Sequence, residues 1–563
     1  MKGDKTIITG QLIDIHTRRI YPASISIENG AISEIKELES APSQFILPGM
    51  VDAHVHIESS MLAPSEFAPL ALAQGTISTV SDPHEIGNVL GAEGVRWMAE
   101  NGKSAPVHFH FGAPSCVPAT IFETAGAEID AAAIKTLLEE KTCHYLAEMM
   151  NWPGVIFEDE MVKTKIDIAK SLGVPVDGHA PGLKGEQAKK YFAAGIETDH
   201  ECFTLEEALE KAELGVKILI REGSAARNFE ALIETIKHYP LQVMFCSDDK
   251  HPDDLLIGHI NQLVARALAK GFDLFDVIRA ATINPVSHYG LPVGLLQTGD
   301  PADFIVVESL EKMEVLQTWR KGELVFEKNN FNWEPEPINS RPNLFEAHFP
   351  DENQYEIKSK GVGNVKVRVI HAIEGQLITK EKIEGLQVMD GNIQPDQNRD
   401  ILILSVVNRY RKAVPANAFI SGFGLKNAAI ASSVAHDSHN VVTVGSDPEW
   451  IKQAVDAIMK AGGGISIASA SGVEVLPLPI AGLMSDKNGV WVAAQYEKLT
   501  QLARNEGSTP RAAFMLLSFM ALLVIPELKL SDLGLFDGLK FEFVKVEISW
   551  PGPGPLNPPK GDF

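Results

Sequence analysis

Cysteine is scarce in this chain of 563 residues, which has only four, at Cys116, Cys143, Cys202 and Cys246. They are far apart and form no CxxC pair, which argues against a disulfide framework and a thiolate zinc site. Any bound metal must therefore use nitrogen and oxygen ligands. No run of about 18 uncharged apolar residues occurs, and MKGDKTIITGQLIDI at the start lacks the apolar core of a secretory signal. We expect a cytoplasmic protein.

Basic residues are the minority among the charged ones, with 50 Lys and Arg against 74 Asp and Glu, so the formal net charge is −24. An acidic surface repels phosphate backbones and anionic lipid headgroups, which argues against nucleic acid and membrane as partners. The composition, 45% hydrophobic and 22% charged, is typical of a globular chain. Its length allows several domains.

A repeating alternation of short apolar runs and helix-compatible segments begins near Phe45. Eight runs end in polar or ionisable residues: ILPGMVDAHVHI, GTISTVSDPHE, PVHFHFGAPS, CHYLAEMMN, VPVDGHAP, GIETDHE, VKILIREGSA and LQVMFCSDDKH. Eight parallel strands close a barrel whose active site forms at the carboxyl ends of the strands. We therefore predict an α/β fold with a TIM-like (β/α)8 barrel over residues 49–295.

Segments rich in β structure flank this predicted barrel on both sides. Residues 1–48 read as short strands, with a tight hairpin at Asn29-Gly30, and residues 296–338 read as hairpins. Pairing of these segments would give one small β-sandwich. The Pro- and Asn-rich NNFNWEPEPINSRPN marks a boundary, and the strand-like runs beyond it predict a C-terminal α+β domain over residues 345–563.

His54 and His56 form the sharpest local motif of the chain. Side chains at i and i+2 of a strand share one face, so both imidazoles can grip one metal ion at the barrel mouth. A half-buried polar strand explains HxH alone equally well. His179, His200 and Asp248, however, end the fifth, sixth and eighth predicted strands. Together these residues predict a metal site.

The combined donor set suits two divalent ions that share a hydroxide. Such a site also needs a bridging anion from the protein. Glu148, at the end of the fourth predicted strand, can give one oxygen to each ion. The alternative is an ordinary glutamate at a helix start, which its place in the strand order disfavours.

The motifs around these residues resemble a known family. PGMVDAHVHIESS, with single histidines after strands five and six and an aspartate after strand eight, is similar to the amidohydrolase superfamily of metallo-dependent hydrolases. Within it, SDPHEIGNVLG, YLAEMMNWPGV, VDGHAPGL, IETDHE, IREGSAARN, FCSDDKHPDDL and GFGLKNAAIASSVAHDSHN resemble the adenine deaminases. The resemblance covers most of the chain.

This resemblance implies a metal-dependent hydrolase of the C–N bond of a cyclic amidine, which converts adenine to hypoxanthine and ammonia in purine salvage. The nucleophile would be a metal-bridging hydroxide at two divalent ions, Mn²⁺ or Fe²⁺, with Zn²⁺ as a further option. Many hydantoinase-like relatives bridge their metals with a carboxylated lysine on the fourth strand. CHYLAEMMN contains no lysine, which supports Glu148 as the bridge.

The chemistry requires groups that move protons. Asp248 is placed to bind one metal, take a proton from the hydroxide and deliver it to the leaving ammonia. A second acid should address ring N1, as a non-ligand glutamate does in the zinc deaminases. Glu85 is the first candidate, and His84 beside it would position substrate or hydroxide. Since Pro83 makes this a turn, polar turn residues without function are the alternative.

Other residues are candidates for substrate contacts. Asp249 would contact the base or orient a ligand histidine. Arg221, Glu222 and Ser224 end the seventh predicted strand and could line the pocket.

A loop of the C-terminal domain carries metal-ligand residue types at His436, Asp437 and His439. A loop does not enforce a common face for His-x-x-His, so we expect a substrate-covering or domain-docking loop rather than a second metal site. A lid over the barrel mouth, whose three residues contact the substrate, is the favoured form.

Three functions remain open from the sequence. The first is a purine deaminase with a purine base as its small-molecule partner. The second is a deacetylase or cyclic amidase of the same fold, which attacks a carbonyl carbon. The third is a non-catalytic binding protein with structural histidines. A homo-oligomer, with a dimer as first guess, is the default assembly.

Overall fold

Four strands open the computed structural model, which describes residues 5–548. They are β1 Thr6–Asp14, β2 Arg19–Glu28, β3 Ala31–Glu37 and β4 Phe45–Pro48. Asn29 and Gly30 join β2 to β3 with φ of 52° and 80°. Positive φ at both positions is the geometry of a tight hairpin turn, so the predicted hairpin is confirmed.

Eight parallel strands form the barrel: β5 Met50–Val55, β6 Thr76–Ser81, β7 His108–Ala113, β8 Tyr145–Met149, β9 Val176–Gly178, β10 Thr198–Asp199, β11 Lys217–Arg221 and β12 Val243–Cys246. Strands β5–β9 pair as one sheet and β10–β12 as another. The Glu197 N–H donates to Val176 O at 2.9 Å across one seam, and the Asp248 N–H donates to His54 O at 2.9 Å across the other. Each strand lies within one of the eight predicted runs, so the barrel prediction is confirmed.

Helices connect the barrel strands: α1 Pro64–Ala73, α2 His84–Gly102, α3 Ala131–Glu139, α4 Trp152–Ile156, α5 Glu160–Leu172, α6 Gly185–Ala193, α7 Leu205–Glu213, α8 Phe229–Leu232 and α9 Thr235–His238. Others follow the last barrel strand: α10 Pro252–Ile257, α11 Ile260–Ala269, α12 Leu274–Ala281 and α13 Ile283–Tyr289. Asp130, Asp159 and Asp273 cap α3, α5 and α12 by accepting backbone N–H groups of the first turn. Such caps satisfy donors that the helix leaves unpaired.

After the barrel the chain returns to its first sheet with β13 Phe304–Val307, β14 Val315–Arg320, β15 Glu323–Glu327 and β16 Asn330–Phe331. Strand β13 pairs antiparallel with β4, with Phe304 opposite Pro48. All eight flanking strands therefore belong to one hydrogen-bonded sheet, and the predicted pairing of the two flanking segments is confirmed. Its buried side chains, including Leu12, Ile25 and Trp319, form an apolar cluster of their own.

The C-terminal part is an α+β unit. Its strands are β17 Ile357–Lys358, β18 Gly363–Ala372, β19 Thr379–Met389, β20 Asn392–Ile393, β21 Leu402–Val407, β22 Ala416–Ser421, β23 Ala428–Ser432, β24 Val441–Gly445, β25 Gly464–Ser469, β26 Gly472–Pro477, β27 Leu528–Ser531, β28 Gly534–Asp537, β29 Glu542–Phe543 and β30 Glu547–Ile548. Strands β17–β26 and β30 form one sheet, and β27–β29 form a smaller one. Its helices are α14 Pro448–Ala461, α15 Gly489–Asn505 and α16 Ala513–Ser518.

Short 3₁₀ helices complete the list of elements, at Ile57–Ser60, Glu352–Tyr355, Gln397–Arg399 and Phe519–Ala521. The division of the chain into three domains at the boundaries given above stays a prediction, and residues 549–563 of the third lie outside the described part. Among the helices of residues 5–548, none is long and apolar enough to cross a bilayer.

The C-terminal unit docks on the loop between β7 and α3. Thr124 donates to Asp532 from its backbone N–H at 2.9 Å and from its hydroxyl at 2.7 Å. Asn440 Nδ2 donates to Thr124 O at 2.9 Å, and the Phe122 ring packs 4.9 Å from that of Phe536. These contacts bring the C-terminal unit to the side of the barrel on which the strands end.

Candidate metal centre and active site

Ionisable side chains from five barrel strands converge at the carboxyl ends of those strands. The structure brings together all six residues that the sequence predicts as metal ligands, and each of them is buried: His54, His56, Glu148, His179, His200 and Asp248. Since parallel strands end at one rim of a barrel, residues distant in sequence meet there.

Glu148 lies at the centre of this cluster. Its Oε1 is 3.4 Å from His56 Nε2. Its Oε2 is 2.7 Å from His179 Nδ1 and 3.1 Å from His200 Nε2. The two oxygens thus face different imidazoles, which is the arrangement that a carboxylate needs to bridge two cations.

A second group of donors surrounds Asp248. Its Oδ1 is 3.3 Å from His56 Nε2 and 3.7 Å from His54 Nε2. The two imidazole nitrogens are 3.2 Å apart. His54 and His56 therefore direct their nitrogens at one point, as the i, i+2 spacing predicts.

The chemistry of the donors fits divalent transition metals. Four imidazoles and two carboxylates offer only nitrogen and oxygen, which suits Mn²⁺, Fe²⁺ or Zn²⁺. His179 Nε2 is buried in the cluster and has no hydrogen-bond partner among residues 5–548. A buried nitrogen of this kind calls for an ion or water as its partner.

Both carboxylates of the cluster are held in the ionised form that a ligand requires. Burial opposes ionisation of Glu148, but His179 and His200 outweigh it and lower its pKa well below the ordinary value. Burial likewise opposes ionisation of Asp248, and the Arg221 guanidinium leads the groups that lower its pKa. His54 is buried beside His200 and His56, which lowers its pKa and keeps it neutral.

Arg221 joins two carboxylates at the rim. Its Nη1 donates to Asp248 Oδ2 at 2.5 Å, and its guanidinium also forms a fork with Glu201, with Nη2 to Oε2 at 3.0 Å. Glu201 Oε1 is also 3.6 Å from His200 Nε2. The sequence analysis did not single out Glu201, although it directly follows His200.

The turn after β6 and the first turn of α2 add three ionisable residues. His84 Nδ1 is 3.2 Å from Asp82 Oδ2 and 3.4 Å from Glu148 Oε1. Glu85 Oε1 is 3.3 Å from His84 Nε2. The predicted pair His84 and Glu85 therefore lies beside the centre. Asp82 was missed, and its signal was its place at a strand end before Pro83.

The C-terminal unit contributes directly to this site. His436 Nδ1 is 2.5 Å from Glu85 Oε1, and His439 Nε2 contacts Glu85 Oε2. Asp437 Oδ1 is 3.8 Å from His84 Nε2. The loop expected to form a lid thus meets the barrel residues, with Glu85 held between two imidazoles.

Asp249 also faces the cavity. Its Oδ1 accepts a hydrogen bond from Ser59 Oγ at 2.5 Å and lies 3.9 Å from His436 Nε2. Burial and the neighbouring Asp248 raise its pKa above the ordinary value. This carboxyl therefore faces the same space as Glu85.

Two of the residues predicted for the pocket lie elsewhere. Glu222 Oε1 is 2.6 Å from Arg266 Nη1, and Ser224 Oγ donates to Asp254 Oδ2 at 2.6 Å. Neither lines the cavity at the centre. Successive residues of an extended segment point to opposite faces, so Glu222 turns away from the site that Arg221 faces.

Apolar side chains of the C-terminal unit cover the cavity. The roof, as we call this group, consists of Leu377, Phe519, Leu522 and Val524. The Phe519 ring stacks on His436 at 4.8 Å with 15° between the planes. A polar floor under an apolar roof suits a flat heteroaromatic ring.

Behind the metal residues, Lys211 forms a buried ion-pair network. Its Nζ donates to Asp199 Oδ2 at 2.8 Å, Glu207 Oε1 at 2.7 Å and Ala180 O at 2.7 Å. Asp199 Oδ1 in turn accepts the Ala180 N–H at 3.0 Å. The network therefore holds the backbone next to His179 and next to His200.

Lys211→Met should lower the free energy of unfolding by about 3–5 kcal/mol, because it leaves two buried carboxylates without their cation. Urea unfolding followed by circular dichroism measures this change. Lys189→Met removes an exposed pair with Glu186 and should leave the midpoint nearly unchanged. Equal midpoints for both variants would show that the buried network adds nothing to stability.

Comparison with known proteins finds one family match for the barrel part of the chain and another for the C-terminal part. Residues 45–325 match the amidohydrolase family, and residues 376–542 match the adenine deaminase C-terminal domain. Among solved structures, N-acetyl-D-glucosamine-6-phosphate deacetylase from Mycobacterium smegmatis superposes with a TM-score of 0.43 at 15% identity, over 57% of this chain and 100% of that one.

Relatives match over almost the whole length. The adenine deaminase of Salinibacter ruber (strain DSM 13855 / M31) is 53% identical over 539 residues, 95% of this chain and 98% of the relative. The adenine deaminase of Sulfurovum sp. (strain NBC37-1) is 52% identical over 533 residues, 94% of this chain and 98% of the relative. The resemblance seen in the sequence motifs is confirmed, and the chain belongs to the adenine deaminase family of the amidohydrolases.

Proposed function

We propose that this protein hydrolyses adenine to hypoxanthine and ammonia. The observation that carries the proposal is the contact between its two halves. The half that matches the adenine deaminase C-terminal domain places His436 and Asp437 against Glu85 and His84 of the amidohydrolase half. The relatives named adenine deaminase share both halves over 94–95% of this chain.

His54, His56 and Asp248 would hold one divalent cation, and His179 and His200 the other, with Glu148 between them. When bound, such cations lower the pKa of water towards neutrality and supply a nucleophile for C6 of the purine. The amidohydrolase family implies a divalent metal centre. Two ions, with Mn²⁺ or Fe²⁺ as the first choice, are our proposal.

Asp248 is the proposed proton carrier at the leaving group. Its Oδ1 faces the two imidazoles of the centre, while its Oδ2 is held by Arg221. The carboxylate takes a proton from the attacking water and passes it to N6 of adenine. The C6–N6 bond then breaks, and ammonia leaves. Arg221 orients this carboxylate and keeps it ionised before the reaction.

Glu85 is the proposed donor to ring N1. Burial opposes its ionisation, but His436, His84 and His439 outweigh burial and lower its pKa. Glu85 therefore needs a proton from a neighbour, and His436 Nδ1 at 2.5 Å is placed to hand it over. The other proton of the consumed water replaces the one that His436 gives up, so the net reaction leaves one water proton on N1 of hypoxanthine and one on ammonia.

The assay for this proposal is ammonia release from adenine together with the ultraviolet shift to hypoxanthine. We expect one ammonia per adenine, loss of activity after dialysis against a chelator, and recovery with Mn²⁺ or Fe²⁺. A matched panel of cyclic amides and acetylated amines should give no turnover. Hydrolysis of that panel without adenine turnover would instead favour a carbonyl-directed hydrolase. No turnover at all, with no bound metal, would favour a binding protein.

The homo-oligomer, with a dimer as first guess, stays a prediction, and so does the cytoplasmic location. Size-exclusion chromatography with light scattering at several protein concentrations measures the assembly.

A further inference from the structure

Lys529 on β27 is a lysine buried inside the C-terminal unit with 0% of its surface exposed. Its Nζ donates to two backbone carbonyls, Leu377 O at 2.7 Å and Phe519 O at 2.9 Å. Among residues 5–548, no carboxylate pairs with it, and burial alone lowers its pKa to about 7. Its surroundings thus differ from those of Lys211, which has two carboxylates.

Burying an ammonium group without a counter-ion is costly, and proteins avoid it. An apolar residue of similar volume often serves the stability of a core as well or better. Packing alone therefore does not explain a lysine at position 529. Its hydrogen bonds to two backbone carbonyls provide an explanation.

Leu377 and Phe519 are 142 positions apart and belong to different segments, one just before β19 and the other in the 3₁₀ helix after α16. Both side chains belong to the roof over the candidate metal centre. Lys529 donates to the backbone of both residues, so one amino group ties the two roof segments together. The Phe519 ring in turn lies on His436.

We infer that Lys529 is a positioning residue for the substrate, which holds Leu377 and Phe519 at the distance at which their side chains cover the flat face of a purine base. The inference rests on the proposed function and concerns the fit of the ring. It gives the C-terminal unit a role in base recognition that does not depend on metal binding.

The expected consequence lies in KM. Dispersion contacts with the ring face are the same in the bound substrate and in the transition state, so their loss weakens binding uniformly and leaves kcat nearly unchanged. Lys529→Met removes both donors. We expect KM for adenine to rise about tenfold and kcat to change by less than about twofold.

The experiment compares folded, metal-loaded wild type, Lys529→Met, Lys529→Arg and Lys540→Met by steady-state kinetics with adenine. Lys529→Arg keeps hydrogen-bond donors, although on a longer side chain. It should therefore displace Leu377 O and Phe519 O less than Lys529→Met does, and raise KM by about threefold. Lys540 is exposed and pairs with Asp537, and its variant should keep the KM of the wild type. Metal content and thermal unfolding are measured for all four proteins.

A wild-type KM in either folded Lys529 variant overturns the inference, because the lysine would then serve stability alone. Equal losses in kcat with an unchanged KM overturn it as well. If Lys529→Met does not fold, the KM of Lys529→Arg decides. Absence of ammonia release by the wild type is a different result, since it contradicts the proposed function itself.

Discussion

Glu148→Gln should leave a folded protein that retains at most about half of the divalent metal of the wild type, with kcat/KM lowered by more than about a thousandfold. Each oxygen of Glu148 faces a different set of imidazoles. A neutral amide has one oxygen and one NH₂ group, and the NH₂ group cannot bind a cation. The bridge would therefore be broken, and a single remaining ion would activate water less strongly than the pair.

Metal analysis by inductively coupled plasma mass spectrometry, together with the adenine assay, measures both effects. Glu140→Gln is the matched control, because Glu140 lies on the surface and pairs with Arg96. It should keep the metal and the activity of the wild type. If Glu148→Gln retained full metal and full turnover, a bridging role for this residue would be ruled out.

The position of Glu148 illustrates what the sequence can establish. Glu148 ends the fourth of the eight predicted strands. Its place at the site follows from this, because the carboxyl ends of parallel strands meet at one rim of the barrel. The same argument places His179, His200 and Asp248 at the centre, and the strand period of two places His54 and His56 on one face.

The sequence does not predict which side chains of a loop point into the site. Asp82 and Glu201 stand beside predicted residues in short polar runs, and only the loop backbone decides which side chains turn inward. Arg221 and Glu222 show a partial exception. As neighbours on an extended segment they point to opposite faces, a constraint that the prediction of both as pocket residues overlooked.

Local sequence patterns do not predict the contacts between the two halves of the chain. His436 meets Glu85 across 351 positions because the C-terminal unit docks on the barrel through Thr124 and Phe122. No spacing or periodicity reports such docking. The residue types of the loop indicated ligand chemistry, whereas the structure shows that its imidazoles surround a barrel glutamate.

Glu85→Gln should keep the metal content of the wild type and lower kcat by about 10²–10⁴-fold, the usual contribution of general acid–base catalysis. The side chain keeps its volume, and its place between His436 and His439 lies outside the six candidate metal ligands. An amide cannot pass a proton from His436 to ring N1. Stopped-flow absorbance at a saturating concentration of adenine measures kcat without a contribution from binding.

Glu123→Gln is the control that separates proton transfer from the loss of any buried carboxyl. Burial, and then Asp437, raise the pKa of Glu123 to about 8, so near pH 7 this side chain is mainly a neutral acid and the amide changes little charge. We expect its kcat to stay within about threefold of the wild type. If Glu85→Gln behaved like Glu123→Gln, the proton for N1 would have to come from another group, and Asp249 or Asp437 in the same cavity would be tested next.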